Sequence, residues 1–535
     1  MSSDRSVTVP SLPEAVEIYD TTLRDGSQLE GISLTVDDKL RIAEQLEHLG
    51  VDYIEGGWPG ANPKDDEFFR RAAAGELLLV ASTLTAFGST RRAKGKVDDD
   101  PTLRNLVGSG APIACIVGKC WDYHVTEALR TTLDEGVAMV GDSVEYLAAN
   151  GMRVFFDAEH FFDGYKRNPE FSLRVLEAAA LRGAEVLVLC DTNGGSLPFE
   201  VEAIVADVVG HFGADVRVGV HLHDDTGCGV ANALAGVRGG ARQVQGTING
   251  YGERTGNCNL STIIPNLSLK MGVRTLPEGR LERLTAVSHH IAELVNVAPN
   301  PQAAYVGSSA FAHKAGLHVS AIARRPDAYE HTPPDAVGNG TRFVVSELAG
   351  RSTLEMKAKE LHLDLDGAAL GSVVEQLKEL EHRGYHFEAA DGSLELLMRA
   401  AGGWEQDYFR LESFRVIVDH DAADEFATEA TVKLWVGDER IVAVGEGNGP
   451  VNALDAALRK AIGSRYPRLA GVHLTDYKVR VLDTAKGTGA VTRVLLDSTD
   501  GDRTWSTIGV SENIIEASWE ALFDSVIYGL LHAED

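Results

Sequence analysis

Arg217-Val218-Gly219-Val220-His221-Leu222-His223 reads as a short apolar strand that ends on two imidazoles. Strand residues two apart face the same side, so His221 and His223 share a face. Two imidazoles on one face at a strand's end make half of a metal site. Working outward, a helical pattern, Phe199 to Phe212, precedes this strand, and another apolar run follows from Gln243. Similar runs start near Val16, Asp52, Leu77, Ala111, Arg153 and Glu185, with amphipathic patterns such as Val36 to Leu49 between most of them. Eight βα units in residues 1–290 predict an α/β fold, a closed parallel (β/α)8 TIM barrel. A doubly wound open sheet is the alternative, but no GxGxxG follows the first strand.

Barrels of this kind build their sites from the loops at the strands' C-terminal ends, and here those ends are polar. Strand one leads to Arg24 and Asp25, strand two to Glu55, strand three to Thr83 and Thr85, and strand four to Lys119. Strand five leads to Glu159 and His160, strand six to Asp191 and Thr192, and strand eight to Asn249, Glu253 and Asn257. Strand eight neighbours both seven and one in a closed barrel, so Asp25, His221, His223 and Asn257 can converge. Two nitrogens and two oxygens with open positions suit Mg²⁺, Mn²⁺, Fe²⁺ or Zn²⁺ as a Lewis acid, and the residue types do not choose among them. Asp224 and Asp225 follow directly and are expected to orient the imidazoles. Beside a metal, Arg24 suits an oxyanion role, and Glu159 suits substrate binding or proton relay.

A chain of 535 residues is expected to form two to four domains. Its net charge of −29 disfavours a nucleic-acid partner, which requires a basic face. An anionic substrate then needs local positive charge, from a metal or an arginine. The five cysteines are scattered, with no CxxC, which excludes a disulfide framework or structural zinc motif. Met1 to Pro13 has no apolar signal core, and no run approaches the ~20 residues of a membrane span, so a cytoplasmic protein without membrane contact is expected. Residues 291–403 read as linker subdomains of helices and loops broken by Pro299-Asn300-Pro301 and Pro333-Pro334. Residues 404–535 carry a weak repeat. Ala430 to Val436, a turn, a second strand, Gly445 to Gly449 and the helix Val451 to Ile462 parallel Ala490 to Leu496, Trp505 to Gly509 and the helix from Asn513 to about Leu531. Two βββα-like units packed face to face are expected, an α+β regulatory domain suited to effector binding or dimerisation.

The segments YDTTLRDGSQ (Tyr19 to Gln28), GVHLHDDTGCGVANAL (Gly219 to Leu234), NGYGERTGNCNL (Asn249 to Leu260) and HKAGLHVSA (His313 to Ala321) resemble the metal-dependent acyltransferases that condense acetyl-CoA with a 2-oxo acid. These are the 2-isopropylmalate, homocitrate and citramalate synthases. GGWPGANPKD (Gly56 to Asp65), VGKCWDYHV (Val117 to Val125) and RGYHFEAADGSLELL (Arg383 to Leu397) are most similar to the long citramalate synthase branch, which acts on pyruvate. The resemblance implies a divalent metal (Mn²⁺, Mg²⁺ or Zn²⁺) held by Asp25, His221 and His223, with Asn257 near or bound. It implies that Arg24 stabilises the oxyanion, that Thr192, with Arg24 and Gln28, binds substrate, and that Glu159 and His318 handle the acetyl proton. It further implies a domain-swapped homodimer in which His318 serves the partner's site, and an amino-acid effector, isoleucine, on the C-terminal allosteric domain. Phe87 and Trp121 are expected near the small pocket for the oxo acid's methyl group. A lyase of the hydroxymethylglutaryl-CoA type would carry a catalytic cysteine in a GGCP pattern after strand eight, where this chain reads Gly252 to Cys258, GERTGNC. Synthases for 2-oxoisovalerate or 2-oxoglutarate would need a larger apolar pocket or an added cation.

Overall fold

The computed structural model describes residues 12–213, 216–313, 325, 329–343, 351–387, 390–420, 426–482, 487 and 489–533. They divide into two compact units, one running to Phe311 with Thr332–Thr341, the other comprising Ala312–His331 and Arg342–Asp535.

Eight parallel strands close the first unit into a barrel: β1 Glu17–Asp20, β2 Tyr53–Glu55, β3 Thr83–Ser89, β4 Ile113–Lys119, β5 Arg153–Glu159, β6 Ala184–Asp191, β7 Arg217–Leu222 and β8 Gln243–Gly246. β1 pairs with both β2 and β8, which shuts the ring. Alternation along each strand divides two cores. Tyr19, Tyr53, Phe87, Cys115, Phe155 and Val188 fill the interior. Ile18, Ile54, Ala86, Ile116, Phe156 and Leu189 pack outward under the helices. The helix Val36–Leu49 shows how sharply the sequence sets its elements: Thr35 and Asp38 form a capping box, and Gly50 at φ 84° ends it in the left-handed region. At the barrel floor Arg217 bridges Glu17 and Glu185.

The third strand begins at Thr83, six residues past the expected start at Leu77. Leu78 and Val80 are 78% and 83% exposed. The backbone N–H groups of Ala81 and Ser82 donate to Glu47 at 2.8 and 2.9 Å, which pins this apolar-looking run as a loop before the sheet begins. Thr83 and Thr85 therefore lie within the strand rather than beyond it. Among the described residues no helix is long and apolar enough to cross a membrane.

In the second unit, β9 Ala312–His313 pairs in parallel with β10 Arg342–Phe343. β11 Arg410–His420, β12 Phe426–Val436 and β13 Glu439–Gly447 form one antiparallel sheet, followed by the helix Pro450–Ile462. β14 His473–Val481, β15 Thr492–Thr499 and β16 Thr504–Ser511 form another, followed by the helix Ile514–His532. The repeat is thus βββα twice over. The helices Gly367–His382 and Asp391–Ala401 share a core with Ile508 and Val510 of β16.

One device recurs in both repeats. A Cβ added to Gly445 would lie 2.3 Å from the Ala457 nitrogen, and one added to Gly509 would lie 2.0 Å from the Ala517 oxygen. Each glycine lets the following helix lie directly on its sheet, so Gly445 serves packing and is not free for a ligand loop. Gly509→Ala is expected to destabilise this unit by about 1–3 kcal/mol, the usual cost of overpacking. A thermal transition of the second unit unchanged from the parent chain would contradict that contact.

Candidate metal centre and active site

Asp25, His221 and His223 come together, all buried, with one ligand atom from each within 4.8 Å of the others. Asp25 reaches the site from the turn after β1, and the histidines from the end of β7. His221 Nε2 lies 3.2 Å from Asp25 Oδ2, and His223 Nε2 lies 3.9 Å from the same oxygen. His223 also forms a backbone bridge with Asn257, which places the asparagine beside the pair.

Hydrogen bonding tests whether these residues fit a cation. Gln245 Oε1 lies 2.9 Å from His221 Nδ1, so that nitrogen carries a proton, leaving Nε2 to face the Asp25 carboxylate. Two acceptors at 3.2 Å require a cation or a proton between them. Among the described residues Asn257 Oδ1 is buried with no hydrogen-bond partner, its Nδ2 being committed to the Tyr251 carbonyl. A carboxylate, two imidazoles and an unsatisfied amide oxygen form a donor set that fits a divalent ion.

The electrostatics agree. Burial opposes the Asp25 charge, yet Arg24 and His221 hold its carboxyl well below the usual range. Burial, reinforced by His221, brings His223 down to about 4, leaving a neutral imidazole able to ligate. Burial works against His221 too, but Asp25 raises it overall.

Arg24 is fixed from three sides. Its Nε donates to Glu55 Oε1 at 2.5 Å, Nη1 lies 3.3 Å from Asp25 Oδ2, and the guanidinium sits 3.8 Å over the Phe87 ring. Glu55 also accepts from Tyr19 Oη at 2.6 Å and Thr21 Oγ1 at 2.5 Å. Burial opposes the arginine's charge, but Glu55 and Asp25 keep it protonated. Trp58 meets Phe87 edge-on at 5.4 Å. Arg24, Gln28, Trp58, Asn62 and Lys64 line a cavity of about 570 Å³ that opens beside the arginine.

On the other side of the mouth, Glu159 at the end of β5 pairs with Lys119. Thr192 Oγ1 accepts from the His160 N–H at 2.9 Å, which leaves the hydroxyl proton to donate. Trp121 packs among His124, His160 and Arg167. His318 lies outside the described residues.

Several expectations need correction. Asp224 and Asp225 do not orient the imidazoles: Asp224 accepts from the Gly229 N–H at 2.6 Å, and Asp225 forms a two-pronged pair with Arg254 at 2.7 and 2.9 Å. Beyond His223 the chain leaves the strand, and the two carboxylates are taken up by the nearby Gly229 N–H and by Arg254 instead. Asn249 and Asp191 are likewise structural, Asn249 accepting from Ser288 Oγ at 2.5 Å and Asp191 from the Ser196 N–H at 2.9 Å. The residue that does contact an imidazole, Gln245, was missed, as were Asp157 behind it and the anchoring role of Glu55. Their signal was present: Asp157 with Glu159, and Gln243 with Gln245, are polar pairs two apart in otherwise apolar strands.

Residues 15–291 match the HMGL-like family, 305–385 the homocitrate synthase post-HMGL domain-like family and 388–530 the LeuA allosteric (dimerisation) domain. An (R)-citramalate synthase of Streptomyces coelicolor is 54% identical over 98% of both chains. One of Aquifex aeolicus is 51% identical over 98% of this chain and 99% of its own. A probable 2-isopropylmalate synthase of Methanopyrus kandleri is 32% identical over 96% of this chain and 98% of its own.

Proposed function

The chain belongs to the HMGL-like family, in the branch of the (R)-citramalate synthases, and from that premise we infer that it condenses acetyl-CoA with pyruvate to give (R)-citramalate and CoA. It is an acyltransferase whose acetyl group becomes an alkyl group on transfer. The observation that carries pyruvate over larger oxo acids is the gap between 54% identity to a citramalate synthase and 32% to a probable 2-isopropylmalate synthase, each over nearly whole chains.

A divalent cation held by Asp25, His221 and His223, with Asn257 beside them, supplies Lewis-acid polarisation of the ketone when bound. The protein's own groups do the rest. The Thr192 hydroxyl donates to the pyruvate carboxylate. Arg24, immobilised by Glu55 and Phe87, offers a preorganised positive charge where negative charge develops on the ketone oxygen. A thioester methyl group is far less acidic than any side chain, so a base cannot act without such charge nearby. Glu159 and His318 are the groups we assign to that proton. The cavity lined by Gln28, Trp58 and Lys64 is where we place the thioester arm, the exposed lysine offering its charge to CoA phosphate. Hydrolysis of the resulting thioester releases CoA and makes the reaction irreversible.

The C-terminal unit supports a homodimer with amino-acid control. β13 turns Val442 and Val444 outward, and β14 exposes Leu474, Val479 and Val481. Such apolar faces mark interfaces. Isoleucine, the end product of a pyruvate-derived citramalate route, is the effector we assign.

CoA release from acetyl-CoA, measured with pyruvate, 2-oxoisovalerate and 2-oxoglutarate on one preparation sized by light scattering, tests these points. Turnover is expected with pyruvate, lost to a chelator, slowed by isoleucine and carried by a dimer. Preference for 2-oxoisovalerate would move the chain to the isopropylmalate reaction, and turnover indifferent to chelator would remove the metal. A monomer, or rates unmoved by isoleucine, would remove the regulatory assignment alone. Truncation at 403 is a poor substitute, because it strips Ile508 and Val510 from the core of the preceding helices.

A further inference from the structure

Below the three ligand candidates lies a buried polar chain that the reaction itself does not require. Gln245 sits on β8 between β7 and β1, in register with His221 on one side and Tyr19 on the other. It is fully buried. Its Oε1 lies 2.9 Å from His221 Nδ1, and its Nε2 donates to Asp157 Oδ1 at 3.1 Å. Asp157, on β5 across the barrel, is 2% exposed and also accepts from Cys115 Sγ at 3.2 Å.

The direction of the chain follows from what each group can do. Asp157 Oδ1 accepts from both Cys115 Sγ and Gln245 Nε2, so the NH₂ end of the Gln245 amide faces it. The amide oxygen then has one orientation, toward His221, and fixes the imidazole proton on Nδ1. The lone pair is left on Nε2, the nitrogen 3.2 Å from Asp25. Turning the amide over would set two acceptors against each other at Asp157. It would also offer an N–H to His221 Nδ1, driving the ring proton to Nε2 and blocking the ligand position.

We propose that Asp157 and Gln245 are positioning residues that select the His221 tautomer competent to bind metal. Asp157 acts through the amide at one remove. The proposal rests on reading Asp25, His221 and His223 as the metal set. It gives a buried carboxylate and a buried amide a task beside the apolar lining of Tyr19, Tyr53, Phe155, Val186 and Val188, where an unpaired polar group is costly.

The test is Mn²⁺ affinity of the full chain, stripped with chelator and titrated while free Mn²⁺ is followed by electron paramagnetic resonance. Gln245→Met, similar in volume but with only a weakly accepting thioether and no donor, is expected to weaken Mn²⁺ binding 10–100-fold, the usual effect of losing a ligand's supporting partner. The double variant Gln245→Glu with Asp157→Asn keeps the net charge and reverses the donor and acceptor between the two positions. It still presents an oxygen to His221 Nδ1, and is expected to bind Mn²⁺ within about threefold of the parent, a rescue that a purely structural role does not predict. Imidazole ¹⁵N shifts of the chelator-stripped parent chain, followed to a pH where the ring is neutral and assigned with His221→Asn, should place the His221 proton on Nδ1. Gln245→Met binding within threefold of the parent, a double variant as weak as Gln245→Met, or a proton on Nε2 would each overturn the proposal. The ¹⁵N result decides if the variants do not fold. A parent chain that binds no Mn²⁺ would instead defeat the metal reading on which it rests.

Discussion

Asp25→Asn is expected to lower turnover by more than about 10²-fold and to strip the protein of bound metal, while the barrel stays folded. Asp25 is the one anionic member of the three-residue cluster. Without it, two imidazoles and an amide face a divalent ion with no charge to neutralise it. Loss of supporting partners alone typically costs 10–100-fold in metal affinity or activity, and loss of a direct ligand costs more. Breaking a buried ion pair usually destabilises by about 3–5 kcal/mol, because the remaining charge is stranded. Here it is not stranded: Arg24 keeps Glu55 at 2.5 Å when the 3.3 Å contact to Asp25 is lost. The variant should therefore unfold near the temperature of the metal-free parent. The parent's barrel transition should rise with metal, by about 2.7 kcal/mol at a hundred times the dissociation constant. In Asp25→Asn that rise should vanish. Elemental analysis after gel filtration and melting curves with and without metal check both halves. Metal retained at full occupancy with kcat within tenfold of the parent would remove Asp25 from the ligand set.

The same residues show what a sequence reveals and what it hides. His221 and His223 were legible because a strand's period of two puts them on one face whatever surrounds them. Asp25 was legible because chain closure makes β1 a neighbour of β8. The eight strands were legible as apolar runs between amphipathic helices, save that Leu77 to Val80 has a strand's composition. Only the N–H groups that Glu47 captures from across a loop show it to be a turn. Asp224 and Asp225 misled because proximity in sequence is not proximity in a barrel. The imidazole's partner comes from β8, 24 residues on, and Asp157 lies 88 residues before that partner. Such contacts depend on which strands adjoin and which side chains cross the interior. In the C-terminal unit β12 and β15 alternate buried and part-exposed residues, and their periodicity was visible, while β16 showed as an apolar run, Ile508 to Val510 being buried without a break. β11 and β14 were not visible: β14 is exposed along almost its whole length, so no buried face imposes a pattern on it.

Arg24→Lys is expected to reduce kcat by roughly 10²–10³, about 3–4 kcal/mol of transition-state stabilisation, the scale set by removing one oxyanion donor. The substitution keeps the charge, so the loss measures geometry. The guanidinium is a rigid fork: one edge bonds Glu55, another faces Asp25, and the plane lies 3.8 Å over Phe87. It is held before substrate arrives, and costs no reorganisation when charge develops. A lysine ammonium is a point charge on a flexible stem. It can satisfy Glu55 or reach toward the substrate oxygen, but it cannot do both, and it does not stack on Phe87. Glu55, fixed by Tyr19 and Thr21 at 2.6 and 2.5 Å, is the stronger attractor. Lysine should therefore be drawn back to it and away from the reacting oxygen. Because the expected loss falls on charge that appears only in the transition state, KM for pyruvate should move less than kcat. Steady-state kinetics at saturating metal, with metal content measured alongside, separate this from damage to the neighbouring ligand. A kcat within threefold of the parent would mean that the positive charge suffices wherever it sits. A collapse in metal binding would mean that Arg24 acts on Asp25 rather than on the substrate.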